Sequence, residues 1–258
     1  MKSTDMQLHY QYQPQQNSSQ TLVFLHGLFG SLSNLGMLAR ALQDNYSILQ
    51  LDLRNHGLSG HSDQHNYDLM AQDVIDTLDY LEIKNFHVIG HSMGGKVAMR
   101  LAQLAPQRLD KLVILDISPF ASHDYHHTEI FKALFAVEDS HAATRQEATK
   151  IMQKFIPEPM VIQFLLKSFN QGKWLFNVST LFNQYSNILN WQDQTPWQKS
   201  ALFLRGENSD YISKPEHFDA IKHQFPNAQI YVVKNAGHWL HGEKPNEVLE
   251  SISNYLKN

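Results

Sequence analysis

Residues 86–95 read FHVIGHSMGG, and the order of residue types in this stretch decides the fold. An apolar run ends at Gly90, a serine follows at position 92, and Gly94 opens an amphipathic segment that runs to about Pro106. A short apolar run bounded by glycine reads as a buried strand, and the segment after it as a helix. Glycines on both sides of the serine suit a sharp strand-to-helix turn, where neighbouring Cβ atoms have no room and Oγ projects outward. Ser92 therefore reads as a displayed nucleophile.

Working outward, the chain alternates between apolar runs and helical periodicity. TLVFLHG (21–27), YSILQLD (46–52) and KLVILD (111–116) read as further strands. Between them lie a helix over 33–43 with Ser33 as N-cap, and a helix in which Met70, Val74, Leu78 and Leu81 keep a helical spacing. After a break come ALFLRG (201–206), a helix begun by Pro215, the strand QIYVVKNAGH (229–238) and a last helix from Pro245 to Leu256. Apolar strands alternating with helices imply an α/β protein, its parallel sheet covered on both faces. The break itself is helical in character, rich in Phe and Trp, with no evident strand. It reads as a helical cap over 119–197 inserted into a core domain of 1–118 and 198–258. The Gln- and Asn-rich stretch near 11–20 reads as a loop between two strands.

The 258 residues suffice for one large domain with an insertion. With no cysteine, disulfides, thiolate nucleophiles and cysteine metal sites are excluded. The net charge is −4 and the 21 Lys and Arg are scattered singly, so no basic footprint for nucleic acid is present. No apolar run approaches the roughly 18 residues of a membrane span, and the polar N-terminus lacks the apolar core of a secretory signal. A cytoplasmic location is the expectation.

A serine hydroxyl attacks only when a base removes its proton. His238, in NAGHWLH after the apolar run QIYVV, is positioned for this, and Gly237 would let the loop bend toward Ser92. His241 then has a supporting or solvent-facing place. Two aspartates at strand ends could orient the base: Asp116, which ends KLVILD, and Asp210, in RGENSDYI. Both fit the chain order Ser, Asp, His. An oxyanion needs two backbone N–H donors: one from Met93, after the nucleophile, and one from Leu28 or else Phe29 in HGLFG. His26 reads as structural, bonded to nearby backbone.

HGLFG, DLRNHGLSG, GHSMGG, LDISP and NAGHWLHGEKP, in this order across nearly the whole chain, resemble the α/β-hydrolase superfamily and, within it, the YbfF-type esterases. The resemblance implies the α/β-hydrolase fold: a mostly parallel eight-stranded sheet flanked by helices, a helical cap insertion, a Ser, His, Asp triad and no cofactor. Carried over, Ser92 resembles the nucleophile, His238 the base and Asp116 the acid, with Asp210 as the alternative acid. The expected activity is hydrolysis of a small-molecule acyl ester through an acyl-enzyme, with an acyl-CoA thioester as the alternative substrate. A noncatalytic binding protein on the same fold is the reading from a different class. Haloalkane dehalogenases and epoxide hydrolases use an aspartate where this chain has Ser92, whereas carbon–carbon hydrolases keep the same triad. In the insertion, Phe120, Phe131, Leu134, Phe135, Phe164, Phe169, Trp174 and Phe182 offer an apolar roof, most of them as packing. Lys132, Arg145 and Lys173 are the cations that could meet CoA phosphates, although a solvated face accounts for them better. HDYHH (123–127) has no carboxylate cluster to frame a metal, so no metal site is expected.

Overall fold

In the computed structural model, residues 6–16, 18 and 20–257 are described. Positions 17 and 19 of the Gln- and Asn-rich stretch, and the first five residues of the polar N-terminus, lie outside them. The fully buried run TLVFL becomes β2 (Thr21–Leu25), preceded by β1 (Tyr10–Gln13) and followed by α1 (Gly36–Leu42) and β3 (Ser47–Leu51). The alternation continues with α2 (Tyr67–Tyr80), β4 (Phe86–His91), α3 (Met93–Leu104) and β5 (Leu109–Leu115).

The strands form one sheet in the order β1-β3-β2-β4-β5-β8-β9, where β8 is Ala201–Gly206 and β9 is Ala228–Val233. All neighbours are parallel except β1, which runs antiparallel to β3. Among the described residues the sheet has seven strands, where eight were expected. Residues 6–9, the described part of the chain before β1, form no strand. They lie along the loop after β3 instead, where His9 O accepts from Asp52 N–H and Gln7 O from Gly60 N–H.

Alternate residues of each strand face opposite layers, as the two-residue period of a strand requires. Leu22, Phe24, Ile89, Val113 and Leu204 pack on one face with α1 and α11 (Pro245–Lys257). Val23, Leu25, Val88, Ile114 and Phe203 pack on the other with α2 and α3. Helices on both faces thus explain why the central strands β2, β4, β5 and β8 are largely apolar, whereas the edge strands β1 and β9 are partly exposed.

Between β5 and β8 the chain forms α4 (Thr128–Asp139), α5 (Arg145–Met152), α6 (Pro159–Leu166), α7 (Val178–Asn183) and α8 (Tyr185–Leu189). A short antiparallel pair, β6 (Phe169–Asn170) and β7 (Lys173–Trp174), interrupts them, which corrects the expectation of an insertion without strands. Gln171 and Gly172 both have positive φ at the tip, so the turn closes a hairpin too short to leave a periodic signal. Phe131, Leu134, Phe169 and Trp174 are buried in the apolar cluster shared with the sheet, whereas Phe182 is exposed. The remaining helices are α9 (Pro215–Gln224), begun by Pro215 as its position predicts, and the short α10 (Leu240–Glu243). Ser33 does not cap α1. A 3-10 turn over Leu32–Leu35 comes first, and Ser31 precedes it, its N–H donating to Asn34 Oδ1 at 2.6 Å.

Candidate active site

Ser92 stands between β4 and α3 with φ 52° and ψ −119°, a conformation rare for a residue with a Cβ. Its neighbours permit the turn. A Cβ on Gly94 would run into the carbonyls of Leu25 and His26, and one on Gly90 into the backbone of Gly94 and Gly95. The turn is further tied by Ser92 N–H, which donates to Leu115 O of the adjacent strand at 3.0 Å.

Three side chains from separate strand ends meet here. Ser92 Oγ lies 3.0 Å from His238 Nε2, and His238 Nδ1 lies 2.7 Å from Asp116 Oδ2. Asp116 is fully buried. Its Oδ1 accepts Gly206 N–H at 2.9 Å and its Oδ2 also accepts the Ser209 hydroxyl. Carboxylate acceptance fixes the imidazole as the Nδ1–H tautomer, which leaves Nε2 free to accept from Ser92. Asp210 is exposed, and its backbone carbonyl accepts Ser213 Oγ–H. Of the two aspartates weighed above, Asp116 is the one that faces His238.

The loop carrying His238 turns at Asn235, with φ 54°, and not at Gly237, whose N–H donates to Glu243 Oε2 at 2.9 Å. Asparagine tolerates the left-handed region, so the glycine is not needed for the bend. Tyr211 stacks on the His238 ring with centroids 3.8 Å apart and an interplanar angle of 15°. His91, the residue before Ser92, donates from Nε2 to His238 O at 2.9 Å and so holds the same loop. Burial, with His241 and His238 beside it, keeps the His91 pKa well below the usual imidazole value, consistent with a neutral donor. His241 packs edge-on against His91 with ring centroids 4.5 Å apart, and burial pulls its pKa down to about 4, so of the supporting and solvent-facing places weighed for it the supporting one fits.

Leu28 N–H and Met93 N–H have no hydrogen-bond partner among the described residues, whereas Phe29 N–H donates to His56 Nε2 at 3.1 Å. That bond removes Phe29 from the available donors. His26 bonds backbone as expected, accepting from Leu53 N–H and donating to Gly27 O.

A cavity of about 470 Å³ opens at Ser92 and His238, with Leu38, Ile130, Val161, Phe164 and Trp239 in its walls. A smaller one of about 70 Å³ also borders Ser92, against Phe120 and Lys96. Of the aromatic residues proposed as a roof, only Phe164 and Phe120 thus reach the space beside the serine. Lys132 pairs with Glu129 on the surface, Arg145 donates to Phe169 O, and Lys173 borders a separate groove. His127 of HDYHH bonds Tyr185 OH through Nδ1 at 2.6 Å.

Lys96 was not singled out by its sequence position, although a cation four residues after Ser92 on an apolar helix face is a visible irregularity. Its buried ammonium donates to Phe120 O, Leu189 O and Asn190 O at 2.9, 3.3 and 3.3 Å, and it lies over the rings of Tyr67 and Trp191. Burial lowers its pKa to about 7. These three carbonyls belong to both ends of the insertion, so Lys96 ties the insertion to the helix behind the serine. Lys96→Met would leave them without their donor, and the expected result is a loss of about 1–3 kcal/mol in urea unfolding. An unchanged midpoint would show that water replaces the ammonium.

The sheet order, the serine turn and the strand-end side chains together define a hydrolase of the α/β type. The chain belongs to the alpha/beta hydrolase fold family, whose model matches residues 20–245. Within it the chain groups with the YbfF-type esterases: it is 49% identical to Esterase YbfF of Escherichia coli (strain K12), over 97% of this chain and 99% of that one. It is also 38% identical to the sn-1-specific diacylglycerol lipase ABHD11 of Mus musculus, over 91% of this chain and 80% of the relative. A solved structure described as a marine microorganism esterase superposes with a TM-score of 0.91 at 31% identity, covering 97% of this chain and 100% of that one. The protein is accordingly a carboxylic ester hydrolase.

Proposed function

We propose that the protein is a serine carboxylesterase acting through an acyl-enzyme on Ser92, with His238 as base and Asp116 as the acid that orients it. The observation that carries this reading is the continuous chain from Ser92 Oγ through His238 to the buried Asp116. In the proposed reaction Oγ attacks the ester carbonyl while Nε2 takes its proton. The tetrahedral oxyanion accepts the N–H groups of Leu28 and Met93, whose unengaged state supports that assignment. Collapse breaks the bond to the alkoxide oxygen, and His238 returns the proton to the leaving alcohol. Water, deprotonated by the same Nε2, then attacks the acyl-enzyme; the acyl–Oγ bond breaks, Oγ takes the proton back from Nε2 and the acid is released.

The segment 119–197 serves in this reading as a cap. Its helix α6 supplies Val161 and Phe164 to the wall of the larger cavity, whose apolar lining suits an acyl chain. The site is proposed to act on small-molecule esters in the cytoplasm; no described helix is long and apolar enough to cross a membrane.

The test is hydrolysis of p-nitrophenyl esters from acetate to palmitate beside the matching acyl-CoA thioesters, with the labelled residue located by mass spectrometry after fluorophosphonate treatment. The expected result is a label on Ser92 and kcat/KM that rises with chain length until the cavity is filled. A label elsewhere, or no turnover of any ester, would overturn the reading. A preference for the thioester at equal acyl group would make the acyl-CoA thioesterase the better description.

A further inference from the structure

Two histidines outside the Ser92–His238–Asp116 chain bind each other's loops in a crossed arrangement. His26 follows β2, and its Nε2 accepts Leu53 N–H, from the loop after β3, at 3.0 Å. His56 lies in that second loop, and its Nε2 accepts Phe29 N–H, from the first loop, at 3.1 Å. Each ring donates its Nδ1–H to a carbonyl of its own loop, His26 to Gly27 O at 2.8 Å and His56 to Arg54 O at 2.9 Å. The tautomers are assigned from these partners: an amide N–H can only donate, so each Nε2 carries no proton. The rings are buried and meet edge-on with centroids 5.1 Å apart.

Two of these bonds hold the peptides on either side of Leu28, and the other two tie the rings to Leu53 and Arg54 of the second loop. Leu28 N–H belongs to the Gly27–Leu28 peptide, whose carbonyl accepts from both His26 Nδ1–H and Gly30 N–H, the latter at 3.0 Å. In a planar trans peptide the C=O and N–H point in opposite directions. Holding Gly27 O from one side therefore aims Leu28 N–H toward the other. The next peptide, Leu28–Phe29, is held by His56 through Phe29 N–H. Phe29 itself has φ 63°, a conformation that a bulky residue keeps only when its surroundings enforce it. Its ring supplies a second anchor, packed against Phe131 and Phe176 of the insertion.

We propose that His26 and His56 are positioning residues for ester hydrolysis: two neutral imidazoles that clamp both peptides flanking Leu28 and so aim its N–H at the oxyanion formed on Ser92. The proposal rests on the reading of Leu28 as an oxyanion donor. Protonating either ring would turn its Nε2 acceptor into a donor and break a bond between the loops. The groups that face the pair are mostly cationic when protonated. His65, His61, Arg54 and His91 surround it, and Asp52 is the carboxylate near His26. Burial leads in lowering both imidazole pKa values, and His26 and His65 push His56 further down. The clamp should therefore stay closed at mildly acidic pH.

The experiment compares His56→Leu, which removes the acceptor, with His56→Gln, whose Oε1 can take the place of Nε2. It measures kcat and KM on p-nitrophenyl butyrate, affinity for a trifluoromethyl ketone that forms a tetrahedral oxyanion on the serine, and the 15N signals of the wild-type histidines from pH 8 to 5. The leucine variant is expected to lose about 10–100-fold in kcat and a similar factor in ketone affinity, with KM little changed. Glutamine is expected to recover most of both, and His56 of the wild type to remain the Nδ1–H tautomer down to pH 5. Wild-type kcat in the leucine variant, equal losses in both variants, or a protonated His56 Nε2 would each overturn the clamp. Should the leucine chain fail to fold, activity in the glutamine variant and the His56 tautomer are both required, and failure of either overturns it. Turnover that survives Ser92→Ala would instead remove the reading of Ser92 and Leu28 on which the clamp depends.

Discussion

Replacing Ser92 with alanine is expected to lower kcat on p-nitrophenyl butyrate by about 10⁶-fold, the scale on which loss of a serine nucleophile falls. The exchange deletes one atom, and that atom's hydrogen bond is to His238 Nε2. Ser92 N–H to Leu115 O is a backbone bond and remains, and alanine at φ 52° carries the same strain as serine. The thermal midpoint should therefore stay near wild type. Residual rate would come from the oxyanion donors and the cavity, which still bind the ester but offer no nucleophile. Parallel melting curves and ester assays decide the matter, and a folded variant with wild-type turnover would sink the acyl-enzyme mechanism.

For Asp116→Asn a fall in kcat of about 10³–10⁴-fold is expected, as for other aspartates that orient a catalytic imidazole. Asp116 Oδ1 accepts Gly206 N–H, so the amide oxygen of an asparagine would keep that place and its NH₂ would face His238 Nδ1. A donor there forces the imidazole into the Nε2–H tautomer, which cannot take the serine proton. Asp210→Asn is the control, expected to stay within about twofold because an exposed side chain contributes little. If instead Asp210→Asn abolishes turnover and Asp116→Asn does not, the assignment of the acid is reversed.

The sheet and the serine turn were legible because both are written locally. Strands covered on two faces must be apolar along their length, and Gly94 must lack a Cβ where it meets Leu25 O. What faces His238 was not legible. Asp116 directly follows β5 and Asp210 lies in the loop after β8, and the choice between them depends on Gly206 and Ser209 closing around one carboxylate from another strand end. The same holds for Leu28 and Phe29, which a contact from His56, 27 residues further along, distinguishes. DLRNHG carried a signal, a run of polar residues following a buried strand, but only the packed loops give it a meaning. The β6–β7 hairpin was invisible because two residues per strand set no period, and the turn at Asn235 because a nearby glycine offered the simpler explanation.

Strands β5 and β8 lie side by side although the whole insertion separates them along the chain. Joining them closes a long loop, whose entropic cost grows as about (3/2)RT ln n and eases once the insertion has compacted. Because apolar residues of the insertion are continuous with those under the sheet, neither part completes its core alone. The consequence is one of timing during synthesis. A nascent chain displays Ser92 on the early strands, but His238 arrives only after β9 has docked beside β8. On the chemistry proposed here, the growing polypeptide stays inert toward esters until that edge strand is in place.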